Sequence, residues 1–183
     1  NYRTNIGNSF SRGFEGMIEI NPVKAFTKNS KRGDISLFVS YAYTNAIYGN
    51  MVQVSKNSSN QLVETNLKDK KVENAPENII RAGLSYYFKG LIVTGQMSYV
   101  DETYSDANNT INPTANGQNG LIPSYRVIDF TASYTLYKFI NIKTGINNLL
   151  DKAYFTRRSG GYPGPGVLPA DGRSFFLSIG AKF

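Results

Sequence analysis

The chain ends on "GRSFFLSIGAKF", residues 172–183, where the residue type alternates at every second position. In an extended strand, Phe175, Leu177, Ile179, Ala181 and Phe183 share one face. The opposite face carries Ser174, Phe176, Ser178, Gly180 and Lys182. A period of two indicates a β-strand with one apolar and one mixed face. Because terminal residues usually fray, a pattern kept up to Phe183 predicts a strand held in place by pairing.

The same alternation occurs in six earlier segments, and no segment shows a sustained helical period. We therefore predict an all-β chain of about seven strands. The predicted strands are Ser9 to Asn21, Gly33 to Tyr48, Asn78 to Phe88, Leu91 to Tyr104, Tyr125 to Tyr137, Phe139 to Asn148, and the terminal strand.

The composition excludes several classes of function. The 183 residues include no Cys, no His and no Trp, so disulfides, thiolate metal sites and histidine-based catalysis are excluded. The net charge is +7, but its densest basic stretch, "KAFTKNSKR" at residues 24–32, is typical of a solvated loop. We expect no nucleic-acid partner, because the remaining basic residues are scattered along the chain.

The lengths of the connections favour one architecture. Strands three and four are joined by Lys89 and Gly90 alone, and strands five and six by little more than Lys138. The connections near 49–77, 105–124 and 149–172 are long and alternate with the shorter ones. In an up-and-down sheet all long connections then lie at one end, as in outer-membrane barrels. The sequence predicts an antiparallel up-and-down transmembrane β-barrel.

Aromatic residues at the predicted strand ends suit the interfacial girdles of such a barrel, and Phe183 would lie at the periplasmic interface. Two alternatives remain at this point. One is a small self-contained outer-membrane barrel, a pore or adhesion scaffold, with an eighth strand in "NQLVETNL" at residues 60–67. The other is a soluble secreted β-sandwich binding module, which also alternates but has shorter strands.

The stretch "KTGINNLLDKAYFTRR", residues 143–158, together with the terminal strand resembles the end of TonB-dependent outer-membrane receptors. Their penultimate strand commonly carries a pattern like "gvkNLfDkdY", which Asn148, Leu149, Asp151 and Tyr154 match. Within this family the likeness is greatest to ferric dicitrate receptors and extends from Val72 to Phe183.

The resemblance implies that residues 1–183 are the C-terminal part of a barrel of about 22 strands, with the N-terminal plug and the earlier strands absent. It implies a receptor in the outer membrane of a Gram-negative bacterium that takes up a ferric chelate and is energised by the TonB complex through the plug. No resident cofactor or metal is expected, because iron would travel inside the chelate. The outer-membrane assembly machinery would recognise the terminal strand through Phe175, Leu177, Ile179 and Phe183, and lipopolysaccharide or lipid would surround the barrel.

Ferric citrate complexes are anionic, so arginine is the expected contact. We expect ligand-binding residues in the long connections, where tyrosines and amides accompany the arginines. The candidates are Arg157, Arg158, Tyr154, Tyr162, Arg126, Asn108, Asn109 and Gln118.

Catalysis has little support in the sequence. Asp101 and Glu102 are adjacent in a predicted strand, so their carboxylates point to opposite faces. A Ser–His pair cannot form without histidine. We therefore expect the protein not to be an enzyme.

Overall fold

The computed structural model describes residues 7–27, 31–162 and 164–182. In chain order the elements are β1 (Gly7–Ile20), α1 (Pro22–Phe26), β2 (Asp34–Lys56), β3 (Leu62–Asn66), β4 (Asn78–Phe88), β5 (Leu91–Val100), β6 (Thr103–Tyr104), β7 (Leu121–Ile122), β8 (Tyr125–Leu136), β9 (Ile140–Asn147), β10 (Phe155–Ser159), β11 (Gly166–Pro169) and β12 (Ser174–Ala181). The main sheet is antiparallel, in the order β1-β2-β4-β5-β8-β9-β12. The predicted all-β, up-and-down order of seven strands is confirmed. The one described helix, α1, is too short to cross a membrane.

Two strand boundaries were predicted wrongly, and pairing explains both. β2 does not stop at Tyr48 but continues to Lys56, because its last residues pair with β3 from Val52↔Asn66 to Lys56↔Leu62. The weakly alternating "NQLVETNL" is therefore the return arm of a hairpin that extends beyond the main sheet, and is not an eighth strand of it. β5 ends at Val100, and residues 103–104 instead form β6, which pairs with β7.

The two faces of the sheet differ in chemistry. One row of cross-strand neighbours consists of Ile20, Leu37, Leu84, Gly95, Phe130, Ile146 and Phe175. The adjacent row consists of Ser36, Ser85, Thr94, Thr131, Gly145 and Phe176. We call the face with the first row the outer face and the face with the second row the inner face. A single layer with one apolar and one polar face is what a barrel wall between lipid and lumen requires.

Glycines on the inner face make room for aromatic rings from the next strand. A Cβ placed on Gly83 would lie 2.3 Å from the Phe38 ring, and one on Gly145 would lie 2.6 Å from the Phe176 ring. Each ring therefore lies across its neighbouring glycine and covers backbone that no side chain protects.

The short connections lie at one end of the sheet. Lys89 and Gly90 both adopt positive φ, 44° and 85°, as a two-residue hairpin turn requires. Tyr137 and Lys138 do the same without a glycine, at 51° and 66°. The third connection contains α1, whose first turn is capped by the Asn21 side chain, which accepts from the Lys24 N–H at 2.9 Å.

Aromatic pairs lie at both ends of the sheet. At the short-turn end, Tyr86 stacks with Phe88 and Tyr137 with Phe139, at centroid distances of 6.3 and 6.1 Å. Towards the long-loop end, Phe14 packs edge-on against Tyr41 at 5.5 Å. The predicted position of Phe183 lies outside the described residues.

The sheet is open along both edges. Within the described residues β1 pairs only with β2, and β12 pairs only with β9. The barrel therefore does not close in this part of the chain. The three described residues of the predicted closure signal, Phe175, Leu177 and Ile179, lie on the outer face and are 72%, 69% and 69% exposed.

Candidate ligand-binding end

Three long segments meet at the end opposite the short turns. We call them loop A (residues 49–77, containing the β2–β3 hairpin), loop B (101–124) and loop C (148–173). Within the part of the chain that the structure describes, the two fully buried side chains are Leu67 in loop A and Ile122 in loop B, at 0% and 2% exposure. The loops therefore have small cores of their own, which the single-layer sheet lacks.

Loop A is held against the upper part of β2. Tyr48 exchanges backbone hydrogen bonds with it, donating to Lys70 at 2.8 Å and accepting from Asp69 at 2.9 Å. The Tyr48 hydroxyl donates to the Glu73 carboxylate. Burial, and then this hydrogen bond and the nearby charge, raise the pKa of Tyr48 well above its ordinary value. Tyr48 thus holds loop A through both its backbone and its side chain.

Asn109 joins loop B to loop A. Its side-chain oxygen accepts from the Lys71 N–H at 2.7 Å, and its amide nitrogen donates to the Lys71 carbonyl at 2.8 Å. The Lys70 ammonium also donates to the Asn108 carbonyl at 2.5 Å, while the Asn108 side chain is exposed. Of these two predicted ligand contacts, Asn109 thus has its amide occupied by a loop–loop contact.

Arg158 joins loop C to loop B. Its guanidinium donates to the Gly117 carbonyl at 2.8 Å and to the Leu121 carbonyl at 3.2 and 3.0 Å. The guanidinium carbon also lies 5.0 Å from the centre of the Phe155 ring. In this arrangement three of its donors are directed at backbone rather than at open solvent, so Arg158 connects the two loops.

The base of loop C is organised by two residues of the family-like motif. Asn148 is 3% exposed, and its amide donates to the carbonyls of Lys152 and Asp171, at 2.9 and 3.2 Å, while its oxygen accepts from the Lys152 N–H at 2.8 Å. Asp151 accepts from the Arg173 N–H at 2.8 Å. Both residues adopt positive φ, 50° and 53°, so the chain turns sharply here. Leu149 and Leu150, between them, are exposed.

Tyr154 lies at the top of the inner face. Its ring stacks on Tyr125 with centroids 4.6 Å apart. Below it, a cavity of about 460 Å³ is lined by Asp129, Asn147 and Ser174 from the strands and by Asp171 from loop C, among others. A polar recess under an aromatic pair suits a small hydrophilic ligand.

The remaining loop candidates are accessible. Tyr162 is 100% exposed, and Arg157 and Gln118 are exposed. The Arg157 side chain has no hydrogen bond or ion pair within residues 7–27, 31–162 and 164–182. Gln118 contacts Asn116, which donates to its side-chain oxygen at 3.3 Å. Arg157 therefore carries a charge in loop C that is free to meet an anion.

Arg126 lies apart from the others. It pairs with Tyr99 in the register of β5 and β8, two residues from Ile128, and so belongs to the outer face. Arg126 lies in β8 just after loop B, and its parity in that strand puts it on the opposite face from the cavity.

Sequence reasoning did not select two charged residues of the inner face. Arg81 is exposed, lies on the inner face, and has Ser40 and Ser98 as its cross-strand neighbours. Asp129 also lies on the inner face, and its carboxylate accepts from the Asn148 N–H at 2.8 Å. The polar alternation of their strands was the available signal. No group of three or more metal-ligating side chains occurs among the described residues.

Known proteins share this architecture. The family described as "TonB dependent receptor-like, beta-barrel" matches residues 1–149. This match includes the first part of the chain, where the sequence resemblance reached only the general barrel pattern. Family members are receptors and transporters, not enzymes, which agrees with the sequence analysis.

A relative in Acinetobacter baumannii, the probable TonB-dependent siderophore receptor PiuA, is 34% identical over 85 residues, 46% of this chain and 10% of that protein. The crystal structure of PiuA from the same organism superposes with a TM-score of 0.72 at 25% identity, over 98% of this chain and 22% of that one.

The ferric citrate transporter FecA, solved in the unliganded form, superposes with a TM-score of 0.78 at 20% identity, which shows the fold alone. This superposition covers 97% of the chain and 25% of FecA. The chain thus spans between a tenth and a quarter of the length of these relatives. On its family match and its fold, the chain belongs to the TonB-dependent receptor family, in its β-barrel domain.

Proposed function

We propose that residues 1–183 form the C-terminal portion of the barrel of an outer-membrane receptor that imports a ferric chelate into a Gram-negative bacterium. The observation that carries the proposal is the likeness to the siderophore receptor PiuA, joined to a sheet with one apolar face and with its long loops at one end. The two open edges support it further, because an unpaired strand edge in lipid is costly and further strands would satisfy both.

The chelate we propose is anionic, of the ferric citrate type. Arg157 offers an unpaired guanidinium on loop C, and Arg81 offers another charge on the inner face. The stacked Tyr125–Tyr154 pair lies between the loops and the inner face.

In this proposal the loops bind the chelate, and the inner face guides its passage. Loops A, B and C are joined by Asn109 and Arg158, so a ligand bound by loop C would also affect loop B. Energy would come from the TonB complex through a plug domain elsewhere in the full-length protein, and iron would pass as cargo inside the chelate. The assembly machinery would bind the terminal strand, and outer-membrane lipid would cover the outer face.

The test is binding and uptake by the full-length receptor. Purified receptor would be titrated by calorimetry with ferric citrate, a neutral ferric hydroxamate and citrate without iron, and ⁵⁵Fe uptake would be followed in iron-starved cells lacking other ferric receptors. We expect ferric citrate to bind and enter, and Arg157→Ala to weaken binding by about ten-fold.

A Thr156→Ala variant, at the exposed neighbouring position, serves as the matched control. Preference for the neutral chelate would overturn the anionic ligand class and keep the receptor. Absence of uptake of any ferric chelate would overturn the receptor function itself.

A further inference from the structure

The short-turn end of the sheet carries most of the net positive charge. The three short connections, residues 21–33, 89–90 and 137–139, contain six basic residues and no acidic one. Loops A, B and C, at the opposite end, contain eight basic and nine acidic residues. These basic residues are scattered along the sequence, but the up-and-down strand order brings every short connection to the same end.

Four lysines at this end have no anionic partner. We call Lys31, Lys89, Lys138 and Lys182 the rim lysines, and none of them forms an ion pair within the part of the chain that the structure describes. The acidic residue beside them, Asp34, has its carboxylate 3.8 Å from the Lys24 ammonium. The Lys89 ammonium lies 5.2 Å from the centre of the Phe88 ring, a contact that provides no counter-ion. The rim lysines are therefore available to external anions.

Backbone contacts arrange the rim lysines in a row. The first two of them line a single cavity of about 740 Å³. The Thr135 N–H donates to the Gly90 carbonyl at 3.0 Å, which places the second and third turns side by side. The Lys182 N–H donates to the Phe139 carbonyl at 2.9 Å, which adds the last lysine next to the third turn. Because each hairpin spans two strands, neighbouring turns lie about 10 Å apart.

The cavity at the first two turns lies on the inner side of the sheet. Its lining includes Tyr87, Ile92 and Thr135, which have the parity of the inner face. Lys182 has the parity of Phe176, which also belongs to the inner face. A lipid layer against the outer face would lie on the other side of this wall. The occupant of the row must therefore come from the space below the short turns.

Exposed aromatic rings accompany the lysines. Tyr137 and Phe139 flank Lys138 in the third turn, and their stacked rings are 73% and 48% exposed. An aromatic ring packs against the C–H face of a sugar, and an ammonium group pairs with a carboxylate. Rings and cations side by side therefore suit an acidic glycan. A row of evenly spaced cations further suits a polymer whose anions repeat.

We infer that the short-turn end binds the peptidoglycan of the periplasm, with the carboxylates of its peptides at the rim lysines and its sugars against Tyr137 and Phe139. Peptidoglycan is the occupant because it is a glycan with regularly repeated carboxylates and lies on the periplasmic side of an outer membrane. This inference rests on the outer-membrane placement proposed above, in which the short turns face the periplasm. The contact anchors the receptor to the cell wall.

The test is co-sedimentation of the purified full-length receptor with isolated peptidoglycan sacculi, without any chelate. The same receptor would be mixed with sacculi whose carboxylates have been amidated, and with vesicles of phosphatidylglycerol. An exposed ion pair contributes about two-fold in affinity. The quadruple change Lys31→Gln, Lys89→Gln, Lys138→Gln and Lys182→Gln should therefore weaken binding to untreated sacculi about fifteen-fold, towards the level of amidated sacculi.

Two double variants form a matched pair. Lys89→Gln with Lys138→Gln leaves the terminal strand untouched and should weaken binding to untreated sacculi about four-fold. Lys56→Gln with Lys68→Gln removes the same charge from exposed positions of loop A and should leave binding unchanged. Tyr137→Asn introduces a residue that tolerates the positive φ of this position. It should weaken binding to untreated and amidated sacculi by the same factor.

Equal binding of the quadruple variant and the parent to sacculi would overturn the proposal. Undiminished binding of the parent to amidated sacculi would overturn the role of the carboxylates. Binding to phosphatidylglycerol vesicles through the rim lysines, without binding to sacculi, would make lipid the occupant instead. Failure of the receptor to transport ferric chelates would leave the sedimentation results as they are, so the two proposals can fail separately.

Discussion

At the scale of single residues, adjacent side chains of the same type have different roles. Arg157 and Arg158 are neighbours on β10, yet Arg158 donates to two carbonyls of loop B and Arg157 is unpaired. Asn147 and Asn148 are also neighbours, yet Asn148 is buried and Asn147 exposed. Each pair supplies a variant and its own control.

We expect Arg158→Ala to release loop B from loop C. The carbonyls of Gly117 and Leu121 would lose their donors, which costs about 1–3 kcal/mol of local stability. Hydrogen exchange of residues 117–122 in the full-length protein should therefore become about ten-fold faster. Arg157→Ala should leave this exchange unchanged, and equal acceleration by both variants would contradict the role of Arg158.

We expect Asn148→Ala to destabilise the base of loop C. Three hydrogen bonds to backbone would be lost at a buried site, at a cost of about 2 kcal/mol or more. The midpoint of urea unfolding, read from the gel mobility of folded and unfolded receptor, should fall. Asn147→Ala removes a single 3.2 Å contact to Ser174 at an exposed site and should change the midpoint little. A smaller effect at Asn148 than at Asn147 would count against this account.

At the scale of strands and loops, the sequence predicts the features that depend on alternation of residue type at every second position. It located β4 to the residue and the main strand order, because alternation records which side chains share a face. It did not predict the return of β3 onto β2, because that hairpin alternates weakly. It also did not predict the roles of Arg158 and Asn109, because these loop–loop contacts join residues 37 to 41 positions apart and leave no periodic signal.

Gly145 shows how closely the strands of this sheet fit. A Cβ there would lie 2.6 Å from the Phe176 ring and 2.8 Å from the Phe130 carbonyl oxygen. We expect Gly145→Ala to lower barrel stability by about 1–3 kcal/mol, measured as a lower thermal midpoint. Gly180→Ala, on the same face of β12 with no atom within 4 Å, is the control. Equal midpoints for both variants would refute the steric account.

At the scale of the whole molecule, the chemical difference between the two faces predicts which of them lies against lipid. Phe130 lies on the outer face, and its neighbour Thr131 lies on the inner face. If lipid covers the outer face, Phe130→Lys should cost about 2–4 kcal/mol and reduce the folded receptor recovered from outer membranes. Thr131→Lys should cost much less, since the inner face is polar. Equal loss from both, or greater loss from Thr131→Lys, would mean that the outer face is not the lipid-facing one.

The near absence of a buried interior in the main sheet has a consequence for its evolution. Most positions in this sheet require a side chain of a given polarity and not of a given shape. Many substitutions of like polarity therefore leave the hydrogen bonds between the strands intact. Sequence can then diverge widely while the architecture persists, which is how 20% identity coexists with a TM-score of 0.78 to FecA. Where packing is tight, around Leu67, Ile122 and Asn148, far less variation should be tolerated among descendants of a common ancestor.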